Sequence, residues 1–203
     1  MNRFEVLDAL APLRGNAAVV MGPGFGSFAL AERCDHPMTI YNGDMAYVTA
    51  MAVGVALGWP AVKVIAVEGD GSMLMGQCSL TTVARYKPAN MIILVFDNGQ
   101  YVTTGSGTAK SATATGTNIE LIAKGAGIAK TKTVTEVSEM GVALALAFKE
   151  PGPWLIVAKI DISDRDRMAD FKALPVDSFE AGQRFRQAAL AMGAPSAKTV
   201  PSL

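Results

Sequence analysis

The stretch from residue 64 to residue 101, VIAVEGDGSMLMGQCSLTTVARYKPANMIILVFDNGQY, limits the fold more than any other part of the chain. Residues 64–67 are β-branched and apolar, which predicts a short buried strand. Glu68-Gly69-Asp70-Gly71-Ser72 follows as its C-terminal turn, and residues 73–86 predict a helix that Lys87-Pro88 ends. Residues 91–96 predict a second buried strand, and Asp97-Asn98-Gly99 a second sharp turn. A strand–helix–strand unit of this length is a parallel crossover. Both turns therefore fall on the carboxyl edge of one sheet, where open α/β sheets bind ligands. Asp70 and Asn98, 28 residues apart, come together there with the Gln100 carbonyl. One carboxylate, one amide oxygen and one carbonyl suit a hard cation such as Mg²⁺, and the glycines leave room for phosphate oxygens.

The flanking sequence extends this unit into a layered α/β domain. Residues 4–13 carry Val6, Leu7, Leu10 and Leu13 at helical spacing, with Pro12 placed to end the helix early. Strands are predicted at 17–21, 38–41, 131–134 and 154–160, and helices at 28–34, 46–57, 119–125, 139–149 and 179–192. Asn118 and Ser138 stand as N-caps. Six strands separated mostly by helices predict a three-layer α/β/α arrangement around a mainly parallel six-stranded sheet. One domain over residues 1–193 and a flexible tail over 194–203 are expected. Gly22-Pro23-Gly24-Phe25-Gly26-Ser27 is either a tight βα turn or a phosphate cradle, and matches neither the dinucleotide fingerprint nor the ATP-type loop. The uncharged helix at 46–57 is either the centre of the domain or a subunit interface, the second being favoured by its small residues Ala50, Gly54 and Ala56. Residues 102–116 lack apolar periodicity and read as a long loop with at most one helical turn, a length typical of lids and binding segments.

Composition narrows the function. With 18 basic and 18 acidic residues in 203, the formal net charge is +0, which argues against a nucleic-acid partner. A chain 50% hydrophobic with no net charge favours self-association or a protein partner. Two cysteines make no disulfide framework, and a single histidine, His36, makes a Cys/His metal cluster unlikely; Cys78 is expected to be a small buried residue of its helix. The N-terminal residues lack a signal peptide's apolar core and no segment is long enough to span a membrane, so cytoplasmic residence is expected.

Gly69-Asp70-Gly71, followed at this spacing by Asp97-Asn98, resembles the cofactor-anchoring motif of thiamine-diphosphate enzymes. The usual form ends in two asparagines; here Asp97 precedes the retained Asn98. The likeness runs from about residue 19 to 160 and is strongest to sulfopyruvate decarboxylase β subunits and the C-terminal half of phosphonopyruvate decarboxylases, carried by residues 69–74, Ser79-Leu80-Thr81-Thr82 and residues 94–101. It implies a thiamine-diphosphate-binding fold that grips diphosphate and Mg²⁺. Asp70, Asn98 and Gln100 match the metal ligands; Gly69, Gly71, Ser72 and Tyr101 fall in the cofactor-binding stretch. Gly43-Asp44-Met45-Ala46 matches a second element, usually glycine-serine-methionine-glycine, whose methionine props the cofactor rings and whose first glycine carbonyl meets the aminopyrimidine. Gly43 and Met45 thus carry the catalytic positions, while Asp44, Thr104, Ser106 and Lys110 are candidate substrate contacts. Asp44 adds a negative charge that counts against a doubly anionic substrate.

The implied reaction is decarboxylation of a 2-oxo acid by a carboxy-lyase. The resemblance also implies that the acid activating the aminopyrimidine lies on a pyrimidine-binding domain, for which one 203-residue chain lacks room. A separate α subunit, in an α₂β₂ or larger assembly, is expected to complete the site. An acetolactate-synthase-like carboligase, a 2-oxo acid oxidoreductase subunit and a non-catalytic assembly subunit remain open.

Overall fold

The computed structural model describes residues 1–103, 109–161 and 172–195. Thr104 and Ser106, nearly all of the charged connector after Asp161 and the tail from residue 196 lie outside them. The elements are α1 (Arg3–Arg14), β1 (Ala18–Met21), α2 (Phe25–Cys34), β2 (Thr39–Ile40), α3 (Val48–Gly58), β3 (Val64–Gly69), α4 (Asp70–Met75) and α5 (Ser79–Tyr86). They continue with β4 (Met91–Asp97), β5 (Gln100–Tyr101), β6 (Ala109–Lys110), α6 (Ile119–Ala126), β7 (Lys130–Val134), α7 (Val137–Lys149), β8 (Trp154–Lys159) and α8 (Ser178–Ala191).

Six strands form one sheet in the order β2-β1-β3-β4-β8-β7, and every pairing is parallel. Strand alternation divides the core into the two helical layers. Val19, Met21, Ile65, Val67, Ile92, Leu94 and Ile156 face α1, α2 and α7. Ala18, Val20, Val64, Ala66, Ile93, Val95 and Val157 face α3, α5 and α6. Burial on both faces is why β3 and β4 read as near-continuous apolar runs. The edges are blunted: β2 has two residues, and β7 carries Lys130 and Lys132.

Several boundaries differ from the sequence reading for identifiable reasons. Pro12 does not end α1, which continues to Arg14. The Arg14 guanidinium is buried and donates to the Cys34 carbonyl and the Thr39 hydroxyl, so tertiary bonding outweighs the proline's cost. The predicted helix 73–86 is two helices, broken at Gly76-Gln77-Cys78, and Cys78 is exposed rather than buried. A Cβ on Gly76 would sit 2.3 Å from the Ala46 carbonyl oxygen, so a second loop occupies the space at the break. Glu136, not Ser138, is the N-cap of α7, whereas Asn118 caps α6 through the Leu121 N–H at 3.0 Å. β5 and β6 pair antiparallel, Gln100 opposite Lys110 and Tyr101 opposite Ala109, and residues 112–115 form a 3₁₀ turn.

Helix α8 crosses the β2 edge, placing Ala181 in one layer and Ala189 in the other. Arg184 anchors it, donating to both Asp35 oxygens at 3.1 and 2.6 Å. That fork holds the Asp35 carboxyl below its ordinary range, with the Tyr41 hydroxyl assisting. Asp35 therefore stabilises the fold above its unfolded pKa, and the contribution fades as pH falls through the lower folded value. Arg184→Ala should lower the unfolding temperature at pH 7, and the gap to wild type should narrow by pH 3; calorimetric melts at the two pH values check this.

Candidate functional site

The strand order reverses between β1 and β3: β2 lies on one side of β1, and all later strands of the sheet on the other. A cleft opens beyond the carboxyl ends of these two strands, the position at which crossovers leaving in opposite directions make room for a ligand. Its volume is about 100 Å³. Of the residues singled out from sequence, Asp70, Asn98, Gln100 and Met45 line it, together with Gly69, Gly71, Ser72 and Tyr101. Gly43 lies behind the wall and Asp44 points outward, exposed. Lys110 is also exposed; paired with Gln100, it lines an adjoining recess with Lys159 and Glu136, and Asn98 and Gln100 stand between that recess and the cleft.

No turn separates strand from helix at the acidic end. β3 runs through Gly69 and α4 starts at Asp70, whose side chain is buried. Asp70 Oδ2 accepts hydrogen bonds from Ser111 Oγ and from Thr113 Oγ1, the latter at 2.8 Å. The Thr113 hydroxyl is also 2.7 Å from Asp97 Oδ1, and its single proton can serve only one carboxylate at a time. The other Asp97 oxygen pairs with Lys159. Burial raises the Asp70 pKa; the two hydroxyls and the Gly71 N–H oppose the rise, and nearby Asp97 adds to it. A cation against Asp70 would offset this penalty.

The second turn is shaped by its own side chains. Gly99 N–H donates to Asp97 Oδ1 at 3.2 Å and Gln100 N–H to Asn98 Oδ1 at 2.9 Å, and Gly99 has φ +68°. The Asn98 amide oxygen keeps a second lone pair for a cation. At Gly71 a Cβ would meet the Tyr101 ring at 2.2 Å, so the packing of that ring is a further reason for glycine there.

The Gly43–Met45 loop is held under strain. Asn42 and Ala46, at its two ends, have φ of 53° and 73°, the left-handed region that costs an L-residue about 1–2 kcal/mol. Three N–H groups tie it down: Asn42 to Ser27 Oγ at 3.0 Å, Gly43 to the Met21 carbonyl at 2.8 Å, and Ala46 to Ser72 Oγ at 3.1 Å. Ser72 Oγ in turn donates to Glu68 Oε2 at 2.5 Å. The hydroxyl expected to meet diphosphate is therefore engaged within the protein.

Glu68, Arg3, Ser111 and Thr113 are site residues that the sequence does not single out. The glycine turn was visible but ambiguous; it forms one wall of the cleft, beside the buried Arg3, whose guanidinium lies 5.8 Å from the Phe25 ring. No three His, Cys, Asp or Glu side chains cluster as a metal site among the described residues. A cation here would depend on one carboxylate supplemented by amide and carbonyl oxygens, a donor set that fits Mg²⁺.

An α/β sheet with oxygen donors gathered at its switch point defines a class of ligand-binding protein. Residues 26–158 match the family described as thiamine pyrophosphate enzyme, C-terminal TPP binding domain, and the chain belongs to that family. It is 32% identical over 186 residues to a phosphonopyruvate decarboxylase of Streptomyces viridochromogenes, covering 91% of this chain and 45% of the relative. It is 32% identical over 160 residues to the sulfopyruvate decarboxylase subunit beta of Methanococcus maripaludis, covering 78% and 84%. The chain thus spans less than half of the first relative and most of the second. Among solved structures, a Mycobacterium smegmatis protein titled as thiamin diphosphate-dependent superposes with a TM-score of 0.68 at 26% identity, over 80% of this chain and 32% of the other. A Rhodococcus jostii thiamine diphosphate-dependent 4-hydroxybenzoylformate decarboxylase shares the fold, with a TM-score of 0.66 at 20% identity over 81% and 33% of the two chains.

Two substitutions test this geometry. Asp70→Asn keeps an acceptor for Ser111 and Thr113 but removes the desolvated charge. It should raise the unfolding temperature of the metal-free chain, more at pH 7 than at pH 4, because a raised folded pKa makes ionisation destabilising above the unfolded value. Ala46→Gly should relieve about 1–2 kcal/mol of left-handed strain against about 0.5–1 kcal/mol of added chain entropy. A net gain of about 0.5 kcal/mol, read by denaturant titration, is expected.

Proposed function

We propose that this chain is the thiamine diphosphate- and Mg²⁺-binding β subunit of a heteromeric 2-oxo acid decarboxylase, its active site completed by a separate pyrimidine-binding α subunit. The observation that carries the reading is the convergence of Asp70, Asn98 and Gln100 on one cleft of a chain in this family. Asp70 would offer Oδ1 to Mg²⁺ while Ser111 and Thr113 hold Oδ2, with Asn98 and the Gln100 carbonyl beside it. Met45, on the cleft wall at the strained loop, would support the cofactor rings. Bound thiamine diphosphate supplies the electron sink that lets a 2-oxo acid lose CO₂. The chain's own residues bind, orient and exclude water.

Three features support a partner subunit. A cleft of about 100 Å³ is too small to enclose a two-ring diphosphate, since pockets for such ligands run about 300–1,000 Å³. Glu68 is the one glutamate lining the cleft among the described residues, and its carboxylate is tied to Thr49 and Ser72, which leaves the activating acid to another chain. Tyr47 and Met51 at the start of α3 and Met75 at the end of α4 are exposed by 64%, 40% and 60%. With exposed Ala50 and Gly54 they make an uncharged face beside the cleft, suited to close subunit contact. The matched beta subunits of sulfopyruvate decarboxylase agree with this division of the site.

Calorimetry of thiamine diphosphate with Mg²⁺ on the native complex should show tight binding by wild type and at least about 100-fold weaker binding by Asp70→Ala. Equal binding by both would overturn the assignment. The same complex should release CO₂ from one or more members of a 2-oxo acid panel. The isolated chain should release none, and activity from it alone would overturn the split site.

A further inference from the structure

We infer that Glu68 is a positioning residue that sets the Met45 loop against the Asp70 junction. The inference rests on the cofactor reading above and adds a role that the motifs do not assign. Glu68 is 1% exposed, at the end of β3, two residues before Asp70. Its carboxylate joins three elements. Oε1 accepts the Thr49 hydroxyl at 2.5 Å, and the Thr49 N–H also points at the carboxylate. Thr49 lies in the first turn of α3, whose N-cap residue, Tyr47, makes no side-chain capping bond. Glu68 therefore caps α3 from a neighbouring strand, where the free N–H groups and the helix dipole favour a carboxylate. Oε2 accepts the Ser72 hydroxyl, and Ser72 Oγ accepts the Ala46 N–H at 3.1 Å. One carboxylate thus orients α3, turns the Ser72 hydroxyl inward and fixes the left-handed Ala46 that follows Met45.

Among the described residues no cation contacts this carboxylate; two hydroxyls and the Thr49 N–H satisfy it. Its function in the site is geometric and does not require the charge. A glutamine can present its oxygen to Thr49 and its amide to Ser72 Oγ, and so preserve both links. An aspartate is one methylene too short to span them.

Thr49 separates positioning from ligand contact, because it does not line the cleft. In the native complex probed with thiamine diphosphate and Mg²⁺, Thr49→Val and Glu68→Ala should each raise the Kd by about 10–100-fold. Glu68→Gln should stay within about 3-fold of wild type and Glu68→Asp should resemble Glu68→Ala. Amide hydrogen exchange on the full chain without cofactor should accelerate about 10-fold or more at Ala46 in Thr49→Val, with the β4 amides unchanged. Wild-type exchange at Ala46 in Thr49→Val, or Glu68→Gln binding as weakly as Glu68→Ala, would overturn the inference. If wild type binds no thiamine diphosphate, the cofactor reading fails; the exchange experiment still decides whether Glu68 holds the loop.

Discussion

The in-register parallel pairing of β3 with both neighbours is the constraint on which the rest depends. Val67 lies opposite Met21 of β1, and Gly69 opposite Phe96 of β4, so three strands end almost level. A parallel register leaves the connections no choice of side: residues 22–26, Asp70 and Asn98 all emerge at one edge. The reversal of strand order at β1 separates the first of these from the other two and opens the cleft between them. Chemistry enters only after the sheet has placed the donors at this edge.

Sequence revealed those features that arise within one unit of chain. Strands buried on both faces produce apolar runs, as β1, β3, β4 and β8 do, whereas the edge strand β7 is polar and gives a weaker signal. The meeting of Asp70 and Asn98 was legible because a parallel crossover admits one geometry. What depends on distant contacts was not legible. The break at Gly76 exists because Ala46, thirty residues earlier, occupies the space a continuous helix would need. Glu68 reads as a turn residue until pairing shows that β3 includes it. Ser111 and Thr113 sit in a stretch of threonine, serine and alanine without periodicity, and only the fold aims their hydroxyls at Asp70. Lys110 stands out in sequence as the one cation of that stretch; that it pairs with Gln100 and lines the recess adjoining the cleft depends on the strand pairing.

The departure of Asp97 from the more usual asparagine is absorbed locally. An asparagine could accept from Thr113 and Gly99 but could not form the ion pair with Lys159 that closes the end of β8 onto β4. Lys159 is 43% exposed, so solvent screens the pair, and its value is orientation more than energy. It fixes the carboxylate that shares Thr113 with Asp70.

Glu68, Asp70 and Asp97 place three buried carboxylates at one sheet edge, and each answers its desolvation differently. Asp97 has a lysine. Glu68 has two hydroxyls and an N–H at the start of α3. Asp70 has two hydroxyls and the Gly71 N–H, with a second carboxylate adjacent through Thr113. Neutral donors offset only part of the cost of burying a charge. Of the three, Asp70 combines burial with a like-charged neighbour and has no cation among its contacts in the described residues. It is therefore the carboxylate whose folded-state penalty a divalent ion would relieve most, and it stands on the wall of the cleft. The fold keeps this residue at a cost to its own stability, as expected where binding energy, not folding energy, is to be gained.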